Sequence, residues 1–225
     1  MRAQSILFFA SLALSALPAS ASDFLQSTYI GIAGGSLLGT NDKADFPAQS
    51  GMPALTFELE RGIGFNVSLY AGKRLNEYLR VQADIGYLHS EYEKFQQIKI
   101  KAGGVSAFYA STSLYFDYSL TENFTPFLGI GAGLASFDIG ELKNGDSAFS
   151  IGQINMEVQD TFTPFLKLNG GAAYKLTDNL SAIGEYSFMN SADFDYRGKD
   201  GPANLPNATT SFQSHIAQVG LRYNF

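Results

Sequence analysis

The sequence predicts an all-β fold, an eight-stranded antiparallel up-and-down transmembrane β-barrel. Three observations carry that expectation. Apolar residues recur at every second position through most of the chain, in eight runs. The connections between runs alternate between tight turns and long polar loops, which is the layout of a membrane barrel. The apolar face is almost free of charge while the other face is crowded with Gly, Ala and Ser, the inverse of a soluble barrel's surface.

The first run, 27–37, sets Ile30 and Ile32 against Gly31, Ala33 and Gly35. The second, 56–72, has Phe57, Leu59, Ile63, Phe65, Val67, Leu69 and Ala71 on one face and Glu58, Glu60, Gly62, Gly64, Asn66 and Ser68 on the other. Arg61 is the one charge on the apolar face of this run, near a long-loop end. The third, 78–89, sets Leu79, Val81, Ala83, Ile85 and Tyr87 against Arg80, Gln82 and Asp84. Runs 105–118 and 124–137 follow: Phe108, Ala110, Leu114 and Phe116 oppose Tyr109, Ser111, Ser113 and Asp117, then Leu128, Ile130 and Leu134 oppose Gly129, Gly131 and Gly133. Run 162–175 alternates Leu166 and Leu168 with Lys167 and Asn169, and run 180–189 alternates Tyr186 and Phe188 with Glu185 and Ser187. The last run, 211–225, ends the sequence in register on Leu221, Tyr223 and Phe225.

Three connections are tight, "KRLNEY", "SLTENF" and "KLTDNL", and their Asn, Asp and Thr residues suit turns. Four are long: 38–55, 90–104, 138–161 and 190–210. Tyr78, Tyr118, Tyr174, Tyr223 and Phe225 all fall near the short-turn end, as an aromatic girdle does. "FTPFL" occurs twice, each time opening a run, where a proline is tolerated.

Composition agrees with this reading. Charged residues are 16%, Gly number 23 and aromatics reach 14%. The net charge of −6 argues against a nucleic-acid partner, which needs a basic face. The chain has no Cys, so no disulfide supports it. Arg2, the apolar run Ile6 to Leu17 and Ala19-Ser20-Ala21 are the parts of a secretory signal peptide. The expected division is a signal peptide over 1–21, cleaved after Ala21, and a barrel domain over 22–225.

"LTENFTPFLGIGAG", "AYKLTDNLSAIGEYSF" and the terminal "GLRYNF" resemble the small outer-membrane β-barrels of the OmpA-like and opacity-protein type. The resemblance covers nearly the whole mature chain. It implies a bacterial outer membrane, export through the periplasm, a lipid environment and a monomer. It also implies that Val219, Leu221, Tyr223 and Phe225 are the signal read by the barrel-assembly machinery. A structural or surface-interaction role follows, adhesin- or antigen-like, with the four long loops meeting a host or envelope partner.

Six charged residues fall on the lumen face: Arg80, Asp84, Asp117, Lys167, Glu185 and Arg222. Buried charges need partners. One reading is a salt-bridge network that plugs the barrel; the other is a gate or proton path in a small porin-like channel. A lipid A-modifying enzyme is a third alternative, because lipid A deacylases resemble this scaffold and use a His, a Ser two residues on and a Glu. Here His89 is followed by Ser90 on the opposite face, and His215 has Ser211 four residues away. The expectation is therefore no enzyme. No metal or cofactor is expected either: "DFDYRGKDG" places Arg197 at a ligand position of a calcium loop, and "GIGAG" lies inside a strand. Phe46, Met52, Phe95, Phe149, Met156, Phe194, Tyr196 and Leu205 put apolar groups among the polar loop residues.

Overall fold

A computed structural model describes residues 27–38, 41–46, 55–95, 98–102, 104–139, 143–144, 156–158, 162–198 and 208–225. The segment expected to be a signal peptide lies outside these residues, as do Met52, Phe149 and Leu205. The described residues form fifteen strands. They are β1 (Thr28–Leu38), β2 (Asn41–Phe46), β3 (Leu55–Arg61), β4 (Gly64–Arg74), β5 (Leu79–Phe95), β6 (Ile98–Ala102), β7 (Gly104–Asp117) and β8 (Phe124–Ile139), then β9 (Lys143–Asn144), β10 (Met156–Val158), β11 (Thr163–Lys175), β12 (Leu180–Ser191), β13 (Phe194–Gly198), β14 (Ala208–Thr210) and β15 (Gln213–Asn224).

Eight of these close a barrel. Strand β1 pairs with β4, β4 with β5, β5 with β7, β7 with β8, β8 with β11, β11 with β12, β12 with β15, and β15 returns to β1, every pair antiparallel. The terminal strand is thus the seam: Ile30 lies across from Tyr223 and Leu37 from Ile216. Closure leaves the barrel without an edge.

The apolar face is the outer one. Ile130 is 58% exposed, Leu128 69% and Val219 73%. Their neighbours on the opposite face of the strands, such as Ser111, Ser113 and Asn169, are buried. From the turn-end ring of Tyr118 to Phe108 is ten residues, about 34 Å of strand, or ~25 Å along the axis at a tilt of ~40°. That matches the apolar band of a membrane barrel. The exposed Tyr78, Tyr118, Tyr174, Tyr223 and Phe225 form the turn-end girdle, and Tyr78 stacks on Phe116 with ring centroids 5.9 Å apart.

The short turns close on their own polar side chains. Asn76 Oδ1 accepts from the Tyr78 and Leu79 amides at 2.9 and 2.8 Å, and Thr121 Oγ1 accepts from Phe124 N at 3.1 Å. Thr177 Oγ1 does the same for Leu180 N at 3.1 Å. In that third turn a hydrogen bond from Lys175, aided by its charge, holds the Asp178 carboxyl below the usual carboxylate range.

The structure departs from the sequence expectation in three places. The run 56–72 is two strands, β3 and β4, separated at Gly62 and Ile63. The pairing of β3 with β5 shifts between Glu60 and Arg61, and Arg61 and Gly62 are buried in succession. The alternation therefore changes phase, as it must at a bulge. Arg61 in consequence faces inward rather than breaking the lipid face: its guanidinium lies 4.2 Å from the Phe212 ring centroid and donates to the Gln213 carbonyl.

The long connections also carry strand. Strands β2 and β3 pair as a hairpin, β3 pairs with the outer end of β5, and β13 pairs with both β10 and β14. The barrel wall thus continues past the apolar band at the loop end.

Finally, the lumen is not polar throughout. At the loop end Leu37, Leu88, Met189, Phe165, Phe137 and Ile216 are all buried in one cluster. Phe194 and Phe212 join from the extension, with the Phe137 and Phe194 rings stacked 4.8 Å apart.

Candidate functional site

Below the apolar cluster the lumen is filled by polar side chains whose positions follow from strand register. Nearest the turns, Arg80 Nε donates to Asp117 Oδ1 at 2.9 Å and Oδ2 at 3.1 Å. Its Nη1 donates to Tyr29 Oη at 2.9 Å and Gln82 Oε1 at 2.8 Å. The guanidinium plane lies 3.7 Å from the Tyr115 ring centroid and 4.9 Å from that of Phe127. Charge-assisted bonds at Nε and Nη1 and two stacked rings hold this buried group. Glycines make the stacking possible: a Cβ at Gly129 would meet the Tyr115 ring at 2.6 Å.

One layer up, Asp84 accepts from Gln82 Nε2 at 2.8 Å and from Ser111 Oγ at 3.3 Å, with Lys167 Nζ 3.6 Å from its Oδ2. Glu185 accepts from Gln218 Nε2 at 2.8 Å and from the Tyr115 hydroxyl at 3.1 Å, and Ser187 Oγ lies 3.1 Å away. The chain of bonds continues from Gln218 to Asn66 and on to Tyr109.

All six charged residues singled out from the sequence therefore face the lumen and are buried. Two pairs form, Arg80 with Asp117 and Lys167 with Asp84. Glu185 and Arg222 are on neighbouring strands, but register sets Gln218 opposite Glu185 and Ser181 opposite Arg222. Glu185 is held by neutral donors, while Arg222 packs 5.2 Å from the Tyr29 ring centroid. Tyr29, Tyr115, Gln82 and Gln218 complete the network and were missed. They lie on the same face as the charges, which was the available signal; their reach across the lumen was not.

The proposed assembly residues Val219, Leu221, Tyr223 and Phe225 are all exposed on the outer face. The Tyr223 and Phe225 rings meet edge-on at 5.3 Å, and Phe225 N donates to the Thr28 carbonyl at 3.1 Å.

The two histidines stand on the outer face near the loop end. Ser90, as expected, points inward and donates to the Gly62 carbonyl at 2.9 Å. The hydroxyl that meets His89 is Ser106 on the adjacent strand, 2.9 Å from Nδ1. His215 meets Tyr186 and not Ser211. Among the described residues no group of three or more His, Cys, Asp or Glu is arranged to hold a metal.

Residues 7–225 match the family model of the outer membrane protein beta-barrel domain. No curated protein matches the sequence. Among solved structures, the outer membrane protein OprG from Pseudomonas aeruginosa is similar with a TM-score of 0.58 at 12% identity, over 89% of this chain and 98% of that one. The outer membrane protease OmpT from Escherichia coli gives 0.54 at 11% identity over 88% and 96%. The outer membrane protein AlkL, determined in lipid bilayers, gives 0.52 at 16% over 93% and 95%. At these identities the likeness is one of fold. The protease corrects one expectation: a barrel of this kind carries catalysis, so the fold gives no ground for calling the chain a non-enzyme.

Proposed function

The chain belongs to the outer membrane protein β-barrel domain family, whose place is the bacterial outer membrane, and from that premise we propose a closed barrel with a structural or surface-interaction role. The observation that carries this reading is the double closure of the lumen. The polar network fills its turn half, and Leu37, Leu88 and Met189, each at most 1% exposed, fill its loop half. A small channel would need both layers displaced. The loop end, with its strand extension beyond the apolar band, then supplies the surface on which a host or envelope partner docks.

Planar bilayers test this directly. The native protein is expected to give no steady conductance, and the Leu88→Ala/Met189→Ala variant is expected to admit brief openings at most, because the Arg80 layer still blocks the path. A reproducible large open state of the native protein would replace this function by a pore.

The route to the membrane belongs to the same proposal. The precursor is cleaved after Ala21, and the assembly machinery reads β15 with the Phe225 that follows it. Deleting Phe225 should cut the outer-membrane fraction several-fold, while the mature mass still begins at Ser22. An undiminished fraction would remove Phe225 from the signal.

A further inference from the structure

Both histidines are built in the same way on the lipid-facing side of the loop-end rim. Tyr87 Oη donates to Ser106 Oγ at 3.2 Å, and that oxygen is 2.9 Å from His89 Nδ1. Ser106 Oγ, accepting from Tyr87, can donate its own hydrogen to His89 Nδ1. An imidazole that accepts at Nδ1 carries its hydrogen at Nε2. On the other side of the seam the Tyr186 hydroxyl meets His215 Nδ1, and the phenol is the stronger donor of that pair, so the same tautomer results.

Rings fix both orientations. The His89 ring centroid is 5.8 Å from that of Phe65, and the His215 centroid is 5.1 Å from that of Phe188. Neither Nε2 has a hydrogen-bond partner among the described residues, and neither is a buried orphan. With Nδ1 accepting, each presents an N–H to the surrounding medium from a half-buried ring.

Both stand near the loop end on the outer face. His89 lies across from Phe65 and Phe65 across from Ser36, while His215 lies across from Leu38, two residues further along β1. Three strand spacings across and two residues along put the rings ~16 Å apart. Phe65, Tyr87 and Phe108 surround His89 at this height, in the aromatic belt where hydrocarbon gives way to headgroups.

We propose that His89 and His215 are a paired headgroup site whose Nε2–H groups bind phosphate groups of an outer-leaflet lipid. An anionic oxygen at this boundary makes a stronger bond to N–H than a neutral ester does. The site rests on the loop end facing outward, as in the function proposed above.

Native mass spectrometry of the refolded protein in detergent micelles tests it, with a phosphorylated outer-leaflet glycolipid and its dephosphorylated counterpart as probes. The native protein is expected to retain the phosphorylated lipid better by roughly tenfold, the factor one charge-assisted hydrogen bond supplies. His89→Phe/His215→Phe should lose the preference while still shifting on a heat-modifiable gel. Ser106→Ala, which keeps both rings but frees Nδ1 of His89, should lose part of it. Equal retention of the two lipids by the native protein, or a preference kept by the double variant, would overturn the proposal. So would displacement by equimolar inorganic phosphate, which would mark a free-anion site. Loss of an acyl chain from the retained lipid would replace binding by hydrolysis at Ser106 and His89. Proteolysis of the loops on intact cells reads the orientation separately, so a wrong orientation and a wrong site are told apart.

Discussion

Replacing Arg80 by Met lowers the unfolding free energy of the barrel by about 3–5 kcal/mol, the cost of breaking a buried ion pair from one side. The size of the effect follows from what the guanidinium holds. Without it Asp117, 4% exposed, keeps its charge with no partner at 2.9 Å. Gln82 and the Tyr29 hydroxyl lose a donor as well. The stacking on Tyr115 and Phe127 is retained only in part by a thioether. Reversible urea unfolding in lipid-detergent mixtures measures the loss. The Arg80→Met/Asp117→Leu pair should recover most of it, because an apolar pair leaves no orphaned charge. Lys167→Met should cost less, since its contact to Asp84 is longer at 3.6 Å and Gln82 and Ser111 still serve that carboxylate. Equal losses at Arg80 and Lys167 would show that the network acts as diffuse charge balance rather than through this fork.

Replacing Ile130 by Arg costs about 2–4 kcal/mol, the penalty of a cation at the bilayer midplane on a barrel's lipid face. Ile130 lies midway along β8, between Leu114 on β7 and Leu168 on β11, and all three are about half exposed. Among the described residues no acidic group stands beside Ile130 on that face; the exposed Thr112, opposite Ala132, offers only a hydroxyl. Tyr174→Arg, in the turn-end girdle, should cost only ~0–1 kcal/mol, because the depth dependence falls away at the interface. The same two substitutions in vesicles of shorter-chain lipid should converge, as the midplane comes nearer to water. An Ile130→Arg protein as stable as the native one would place that face outside hydrocarbon.

Much of this architecture was legible in the sequence because a strand has only two faces. Leu128, Ile130 and Leu134 share one face whatever the partner strands are, and the lack of charge there was enough to turn it toward lipid. The inward direction of Arg80, Asp84, Asp117, Lys167, Glu185 and Arg222 followed from the same alternation. What alternation leaves open is height and register. Glu185 and Arg222 are near one another in strand order, yet a four-residue offset sets Gln218 opposite Glu185. Asp117, one residue beyond the position facing Leu79, is the partner Arg80 finds across β5 and β7.

The apolar plug was hidden for a related reason. Leu37, Leu88, Phe165 and Met189 fall singly on faces otherwise rich in small and polar residues, and only closure gathers them at one level. Arg61 was misplaced because a bulge is invisible to a period-two count: one residue out of phase exchanges the faces. The contacts of His89 and His215 are not legible in the sequence, because spacing along the chain points to Ser90 and Ser211 while the hydroxyls come from adjacent strands.

The alternating apolar face meets lipid and the other face is sealed inside. The chain has no Cys, so single thiols along β7 report on one site each. Cys placed at Ala110, Thr112 or Leu114 and labelled with a fluorophore should be quenched by brominated lipid chains. Cys placed at Ser111 or Ser113 should resist a water-soluble alkylating reagent until the protein is boiled. Ready alkylation of the first set from water, with no quenching by brominated lipid, would contradict the barrel's orientation and the account built on it.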